Sequence, residues 1–177
     1  MSTLSTLTGK VWKYGDGINT DVIFPGKYTY TLQDPGEIAS HALEDLDPAF
    51  AREAQPGDII VAGRNWGNGS SREQAVTCLK YNGIAAIVAA SFGRIYYRNG
   101  LNQGLLLITC PALVAIAQTG DTLTIDLMAS CLKLDGQTYP FPPLSATALS
   151  MVEIGGLVPY VRRKLGIVNT TEVKVSE

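Results

Sequence analysis

Two uninterrupted apolar runs constrain the fold of this chain more than any other feature of its sequence. The runs are Asp58–Gly63 (DIIVAG) and Ile84–Ala90 (IAAIVAA). Unbroken apolar strands are typical of a parallel sheet whose two faces are both covered. Parallel neighbours need a crossover between them, which is usually helical and almost always right-handed. We therefore predict a parallel β-α-β unit and an α/β fold.

The segment between the two runs has the pattern of the required helix. It opens at Ser70-Ser71, carries apolar residues on one face, and ends at Asn82-Gly83, a typical left-handed helix terminus. Ser70 with Glu73, or Ser71 with Gln74, has the spacing of a capping box. The sequence thus predicts a helix whose first turn begins at these serines.

Shorter patterns predict the remaining elements. Asp34-Pro35 is a typical helix start, and apolar residues on one face extend that helix to Leu46. Asp135-Gly136 between two short strands predicts a hairpin with a type I′ turn. The other predicted elements are strands at 10–14, 105–109 and 122–127, and helices at 94–99, 111–118, 147–154 and 158–165. We expect one α/β domain over residues 1–177, with extra antiparallel strands and a loose tail at 167–177.

The charge balance limits the classes of partner. The chain has 14 Lys and Arg against 16 Asp and Glu, a formal charge of −2. Nucleic acids and anionic membranes bind basic surfaces, so neither is expected as the main partner. The longest apolar stretch, Leu105–Ala117, contains Pro111 and is shorter than the roughly 20 residues of a membrane span. Because the N-terminus also lacks a signal-peptide pattern, we expect a cytoplasmic protein.

Residues that bind metals or act as nucleophiles are few and scattered. Cys78, Cys110 and Cys131 form no short-range pair, and His41 is the only histidine. A structural zinc site needs four nitrogen or sulfur ligands with short spacings, so we expect reduced cysteines packed as small apolar residues. His41 is expected on the surface or half-buried. Since no catalytic set is complete, we predict that the chain supplies one part of a site completed by another protein.

The segment Gly67–Glu73 is the strongest candidate for chemistry. Its glycines let the backbone approach a ligand, and Arg72 can bind a carboxylate or phosphate through two parallel hydrogen bonds. A helix N-terminus adds unpaired N–H groups and a partial positive charge. The same residues also fit a plain capping box with a solvated Arg72. An anion site and a structural cap remain alternatives at this point.

Two further polar segments are weaker candidates. Asn19-Thr20-Asp21 lies in a loop after the first strand, where it suits either a functional role or an Asx-turn. The other segment is Arg94 with Arg98 and Asn99. Arg94 and Arg98 share a helical face, which fits a solvated surface or partners for acidic residues. Neither segment identifies a function by itself.

Three segments occur together in the order and spacing of one family's signature sequences. They are GDGINTDVIFPGKY (15–28), GRNWGNGSSREQA (63–75) and SFGRIYYRNGLNQGLL (91–106). Together they resemble the small subunits of the 3-isopropylmalate dehydratase family, within the wider aconitase family. The resemblance runs from about residue 9 to residue 165 and implies the swivelling β/β/α domain of that family.

The resemblance also implies a partner and a reaction. The partner is a large subunit that carries a [4Fe–4S] cluster, in a heterodimer or heterotetramer, while this chain itself binds no cofactor. The reaction isomerises 2-isopropylmalate and 3-isopropylmalate in leucine biosynthesis, by dehydration and rehydration of a small dicarboxylate. Self-association of the isolated chain through apolar surface around 28–30 is a further expectation.

Individual roles follow from the same resemblance. Ser70 matches a serine base that removes a proton from the carbon next to a carboxylate, and Asp21 matches an acidic residue beside it. Ser71 and Arg72 match positions that bind substrate carboxylate, and Thr20 is assigned to substrate binding with them. Physical reasoning agrees, since an alkoxide needs stabilisation by nearby positive charge.

Substrate choice in the family is associated with the loop matching Lys27–Thr31. Tyr28 and Tyr30 are expected to contact the substrate there, and tyrosine suits an apolar substituent. We therefore favour an isopropyl- or methyl-substituted malate, although Lys27 could reach an extra carboxylate. The chain departs from the family at Asn68, often Cys, and at Gln74, often His, which loosens the substrate assignment.

Two alternative functions stay open at this point. The first is the same reaction on homoaconitate, 2-methylmalate/citraconate or 2,3-dimethylmalate. The second is a non-catalytic anion-binding module.

Overall fold

Seven strands form one sheet in the order β4-β3-β2-β1-β5-β6-β7. The computed structural model describes residues 5–167. The strands are β1 (Thr6–Lys13), β2 (Ile59–Ala62), β3 (Ala86–Ala89), β4 (Leu106–Thr109), β5 (Thr122–Asp126), β6 (Cys131–Leu134) and β7 (Gln137–Pro140). The helices are α1 (Thr20–Ile23), α2 (Pro35–Ser40), α3 (Phe50–Glu53), α4 (Gln74–Tyr81), α5 (Arg94–Asn102), α6 (Pro111–Val114), α7 (Ala146–Ile154) and α8 (Leu157–Lys164).

The first four strands form the parallel half of the sheet. β1 pairs with β2, β2 with β3, and β3 with β4, all in parallel. Every residue of β2 and β3 is buried, as unbroken apolar runs require, and α4 connects the two strands. The predicted β-α-β unit is confirmed.

The last three strands form the antiparallel half. β5 pairs with β1 on one side and β6 on the other, and β7 closes the edge against β6. At the β6–β7 turn, Asp135 has φ of 48° and Gly136 has φ of 76°. Two consecutive positive φ angles are the signature of a type I′ turn, so the hairpin prediction is confirmed.

The sheet separates two hydrophobic clusters. One contains the large aromatic residues Trp12, Phe24, Phe50, Trp66 and Tyr96 and is covered by α2 to α5. The other joins the opposite faces of both halves of the sheet to α6 and α7. The two loops of the site described below contact the first cluster, because Trp66 belongs to it and Ile18 packs against it.

The predicted capping box is wrong. Helix α4 begins at Gln74, and its N-cap Glu73 makes no side-chain cap hydrogen bond. The chain is held out of the helix earlier, because Gly69 has φ of 101° and Thr20 N donates to Asn68 O at 2.9 Å. Ser70 therefore lies before the helix.

The predicted helix to Leu46 is also too long. Asp34 caps α2 as expected, with Oδ1 accepting from Glu37 N at 3.0 Å, but the helix ends at Ser40. Leu43 then adopts φ of 56° and donates its N–H to Ile23 O at 2.9 Å. This tertiary hydrogen bond overrides the helical periodicity.

The chain ends lie partly outside the described residues. The predicted loose tail at 167–177 falls there apart from Ile167, as do residues 1–4. Within residues 5–167, none of the helices has the length and apolar character needed to span a bilayer.

Candidate functional site

Two loops at the carboxyl edge of the parallel half are tied to each other. The first follows β1 and the second follows β2. Gly67 N donates to Ile18 O at 2.8 Å, and Thr20 N donates to Asn68 O at 2.9 Å. Ligand sites of open parallel sheets lie at this edge, where such loops meet.

Glycines permit the tight approach of these loops to α5. Gly67 has φ of 72°, and a Cβ there would lie 2.1 Å from the ring of Tyr96. Gly93, just before α5, donates its N–H to Trp66 O at 2.8 Å, and a Cβ on Gly93 would lie 2.6 Å from Gly67 O. The backbone geometry thus fixes the segment that leads into Ser70.

Ser70 presents its hydroxyl beside a buried threonine. Ser70 is exposed, and its Oγ lies 3.3 Å from Thr20 Oγ1. Thr20 opens the short helix α1, which Asn19 caps by accepting from Val22 N at 2.9 Å. Asn19 therefore forms the local cap that the Asx-turn interpretation anticipated, and the same turn brings Thr20 to Ser70.

Arg72 and Asp21 form an ion pair across the two loops. Arg72 Nη1 donates to Asp21 Oδ1. The Arg72 side chain is 25% exposed and that of Asp21 is 59% exposed. The guanidinium lies against Gly26, where an added Cβ would come within 2.6 Å of Nη1. The alternative of a solvated Arg72 is wrong, because Arg72 is paired and partly covered.

The Ser71 side chain contacts α5, unlike the Ser70 side chain, which contacts Thr20. Asn99 Nδ2 donates to Ser71 Oγ at 3.3 Å, and Gln103 Nε2 donates to Glu73 Oε1. These residues and Asn102 line a cavity of about 240 Å³. Its lining consists of hydroxyl, amide and carboxylate groups, which suits a small polar molecule or water.

The two tyrosines of the Lys27–Thr31 loop have different environments. Tyr28 is half-buried and stacks on His41, whereas Tyr30 is 95% exposed. Gln74, in the first turn of α4, donates its Nε2 to Thr29 O at 3.2 Å. Tyr28 is thus a packed residue of the loop, and Tyr30 projects into solvent.

Lys27 is engaged by an acidic residue. Its Nζ lies 2.9 Å from Glu44 Oε1, and the hydrogen bond that Lys27 donates to Glu44 is the main factor that raises the pKa of Lys27. Any other anion would have to compete with Glu44 for this ammonium group.

Other candidate residues do not join the site as metal ligands or as a charged cluster. Arg94 and Arg98 are exposed on α5. Cys78, Cys110 and Cys131 are free and buried, as predicted. Burial raises the pKa of the Cys78 thiol, which disfavours the reactive thiolate form. Among residues 5–167, no three His, Cys, Asp or Glu side chains converge to hold a metal ion.

Three contacts that shape the site were not predicted from the sequence. Gly26 accommodates the Arg72 guanidinium, Gln74 holds the backbone of Thr29, and Asn99 contacts Ser71. Each contact joins residues that are distant in the sequence. No local pattern indicates such contacts, although Asn99 belongs to the polar segment with Arg94 and Arg98.

The assembled residues combine a hydroxyl with a carboxylate-binding group. Ser70, Ser71 and Asp21 are exposed at one edge. The Arg72 side chain pairs with Asp21, and the backbone N–H of Arg72 donates to the carbonyl oxygen of Ser70 at 2.9 Å. One side of this arrangement is solvent. Its chemistry is that of a base or hydrogen-bond donor beside an anion-binding guanidinium.

Comparisons with known proteins agree on one family. Residues 18–113 match the model of the aconitase C-terminal domain. The small subunit of 3-isopropylmalate dehydratase from Moorella thermoacetica is 46% identical over 90% of this chain and 96% of its own length. Small subunit 1 from Methanopyrus kandleri is 42% identical over 89% and 94%. The crystal structure of 3-isopropylmalate dehydratase from Methanocaldococcus jannaschii matches with a TM-score of 0.86 and 39% identity, covering 92% of this chain and 96% of that one.

Proposed function

We propose that this chain, which belongs to the 3-isopropylmalate dehydratase small-subunit family of aconitase C-terminal domains, is one half of a hydro-lyase. The proposed substrate is isopropylmalate. The observation that supports this most is the exposed Ser70 hydroxyl beside Thr20 and the Arg72–Asp21 pair. The proposed reaction interconverts 2-isopropylmalate and 3-isopropylmalate by dehydration and rehydration, as a step of leucine biosynthesis in the cytoplasm.

Ser70 acts as the base in this proposal. Its oxygen takes a proton from the carbon next to a substrate carboxylate and returns a proton in the reverse direction. A serine alkoxide is unstable unless donors and positive charge surround it. Thr20 Oγ1, at 3.3 Å, is placed to donate a hydrogen bond, and Arg72 supplies positive charge two residues along the chain. Because α4 begins only at Gln74, these side chains replace the helix N-terminus as the stabilising groups.

Arg72 and Ser71 bind the substrate carboxylate. A guanidinium has five N–H donors in a planar fork, so Arg72 keeps donors for a substrate after pairing with Asp21. Asp21 and Gly26 hold the guanidinium in place, which lowers the cost of ordering it when substrate binds. Negative charge that develops on the carboxylate is thereby stabilised.

The remaining half of the site belongs to the partner. We propose that a large subunit carries the [4Fe–4S] cluster, which when bound supplies a Lewis acid for the substrate hydroxyl. The solvent side of the Ser70 edge is the face that the large subunit covers, in a heterodimer or a heterotetramer. This chain contributes the base and the carboxylate-binding residues.

The Lys27–Thr31 loop sets the substrate substituent in this proposal. Tyr28 and Tyr30 offer aromatic surface to an isopropyl group, and Glu44 already pairs with Lys27. The exposed Tyr30 side chain is accessible to a partner chain, and we propose that the isolated chain self-associates through this surface. The loop favours an apolar substituent over the extra carboxylate of homoaconitate.

A reconstitution assay tests the proposal. The chain is mixed without oxygen with a large subunit that carries an intact cluster, and alkene absorbance is followed with isopropylmalate, homocitrate-type and methylmalate-type substrates. We expect activity only when both chains are present, with isopropylmalate as the best substrate. A faster reaction on a methyl-substituted malate or a homocitrate-type substrate would support the proposed type of reaction but contradict the proposed substrate. A stable complex without activity on any substrate would instead identify a non-catalytic anion-binding module.

A further inference from the structure

The Lys27–Thr31 loop is held by a cluster of side chains outside the proposed site. The ring of Tyr28 stacks on that of His41, with centroids 3.9 Å apart and an interplanar angle of 28°. His41 Nδ1 hydrogen-bonds Glu44 Oε2, and Glu44 Oε1 lies 2.9 Å from Lys27 Nζ. Lys27 Nζ in turn lies 4.7 Å from the centroid of the Tyr28 ring. We call these four residues the His41 clamp.

In the clamp, each of the four residues contacts two of the others, and these contacts join two segments of the chain. Lys27 and Tyr28 belong to the loop, while His41 and Glu44 belong to the turn that follows α2. That turn is itself fixed, because Leu43 is fully buried and donates its N–H to Ile23 O at 2.9 Å. The clamp thus joins the loop to a part of the fold that is anchored in the aromatic core.

The opposite side of the loop adjoins the proposed site. Gly26, which directly precedes the loop, borders the Arg72 guanidinium, and Gln74 Nε2 donates to Thr29 O at 3.2 Å. A shift of Tyr28 would therefore be transmitted toward Arg72. It would also move Tyr30, the exposed residue two positions further along the chain.

We infer that His41 and Glu44 are positioning residues for substrate selection. They contact Tyr28 and Lys27 on the side of the loop away from Arg72, and so hold the Lys27–Thr31 loop at the distance from Arg72 that admits a branched apolar substituent. They do this without touching substrate. Glu44 also keeps the Lys27 ammonium away from a second carboxylate. This inference rests on the proposed function and adds to it the residues that set substrate preference.

Variants separate the two contacts of His41. His41→Phe keeps a ring for Tyr28 to stack on and loses the hydrogen bond to Glu44, whereas His41→Asn keeps a donor near the Nδ1 position and loses the ring. Glu44→Gln removes the charge that engages Lys27. The matched control is Lys133→Met, which breaks the ion pair with Asp126 in the antiparallel half, where Nζ and Oδ2 are 3.1 Å apart.

The readout is kcat and KM of the reconstituted complex on isopropylmalate and on a methyl-substituted malate. We expect His41→Asn to lower kcat/KM for isopropylmalate by about three- to tenfold relative to the methyl substrate, mainly through KM, as the loss of one aromatic pair allows. His41→Phe should have a smaller effect. Glu44→Gln should raise the relative rate on a homocitrate-type substrate. Lys133→Met should leave all ratios unchanged.

Hydrogen exchange of the isolated chain gives a second readout. The amides of Thr31 and Leu32, which donate to Tyr28 O at 3.2 and 3.1 Å, should exchange faster in His41→Asn but not in Lys133→Met. An active wild-type complex whose His41 variants keep both the substrate ratio and the exchange rates would overturn the inference alone. A wild-type complex inactive on every substrate would overturn the proposed function first, so the two failures are distinguishable.

Discussion

The parallel and antiparallel halves of the sheet differ in how they hold their turns. After β1 and β2, the loops hydrogen-bond to each other, as in the contact from Gly67 N to Ile18 O at 2.8 Å. The β6–β7 connection is closed within Asp135-Gly136 and needs no neighbour. Loops that brace each other can hold exposed polar side chains in place. This explains why the candidate residues lie at the parallel edge.

Two glycines with similar φ angles test this difference most strongly. Gly67 has φ of 72° and no room for a Cβ, while Gly136 has φ of 76° and open space around it. Gly67→Ala should lower the free energy of unfolding by about 3 kcal/mol or more, since backbone strain and overpacking against Tyr96 both contribute. Gly136→Ala should cost only about 1 kcal/mol, from the positive φ alone.

Urea unfolding of the two alanine variants measures both values. Equal losses at Gly67 and Gly136 would show that the parallel loops are no more constrained than a simple hairpin.

The two ion pairs provide a second comparison. Arg72–Asp21 lies at the proposed site and Lys133–Asp126 in the antiparallel half. Arg72→Lys keeps the charge but loses the planar fork, so kcat/KM of the reconstituted complex should fall by about 10- to 100-fold. Lys133→Arg, the reverse exchange, should leave kcat/KM unchanged. Steady-state kinetics of both variants measure this, and an equal effect at the two positions would contradict the assignment of Arg72.

The smallest expected effect is the loss of folding stability at acid pH as Glu44 becomes protonated. Burial acts to raise the pKa of Glu44, but hydrogen bonds from His41 and Lys27 outweigh it and lower the pKa below its usual value. A lowered pKa stabilises the fold above the unfolded value of about 4.3, and the contribution disappears as the pH falls through the folded value. Asp126 behaves in the same direction, because hydrogen bonds from Ala129 N and Lys133 lower its pKa.

Glu44→Gln measures the contribution at Glu44. The variant should be less stable than wild type by about 1 kcal/mol or less near neutral pH, since its side chain is partly exposed. The difference should close in acid. Urea unfolding over a pH series measures it, and a difference that stays constant with pH would show that the carboxylate charge is not responsible.

Local chemistry made much of the fold predictable. Buried runs at β2 and β3 indicate a parallel pair, Asp34 marks a helix start, and Asp135-Gly136 marks a turn, because each signal acts within a few residues. The start of α4 was not predictable in this way. Pairing of Asn68 with the β1 loop moves the helix start to Gln74, and no pattern inside 67–75 records that contact.

The candidate site was predictable only as a list of residues. The signature segments contain Ser70, Arg72 and Asp21, but their spacing does not show that Arg72 pairs with Asp21. The role of His41 was missed for the same reason. Its partner Tyr28 lies on a separate segment, so only the folded chain brings the two rings together, whereas the contact with Glu44 is made within one turn.

Ser70→Ala, compared with Ser145→Ala, tests the central claim that the Ser70 hydroxyl is the base. Ser145 caps α7, its Oγ accepting from Ala148 N at 3.2 Å. In the reconstituted complex, Ser70→Ala should lower kcat by about 10²- to 10⁴-fold, as the loss of a general base does, with unchanged stability and partner affinity. Ser145→Ala should keep kcat and lose about 1 kcal/mol of stability. A Ser70→Ala complex with wild-type kcat would contradict the claim.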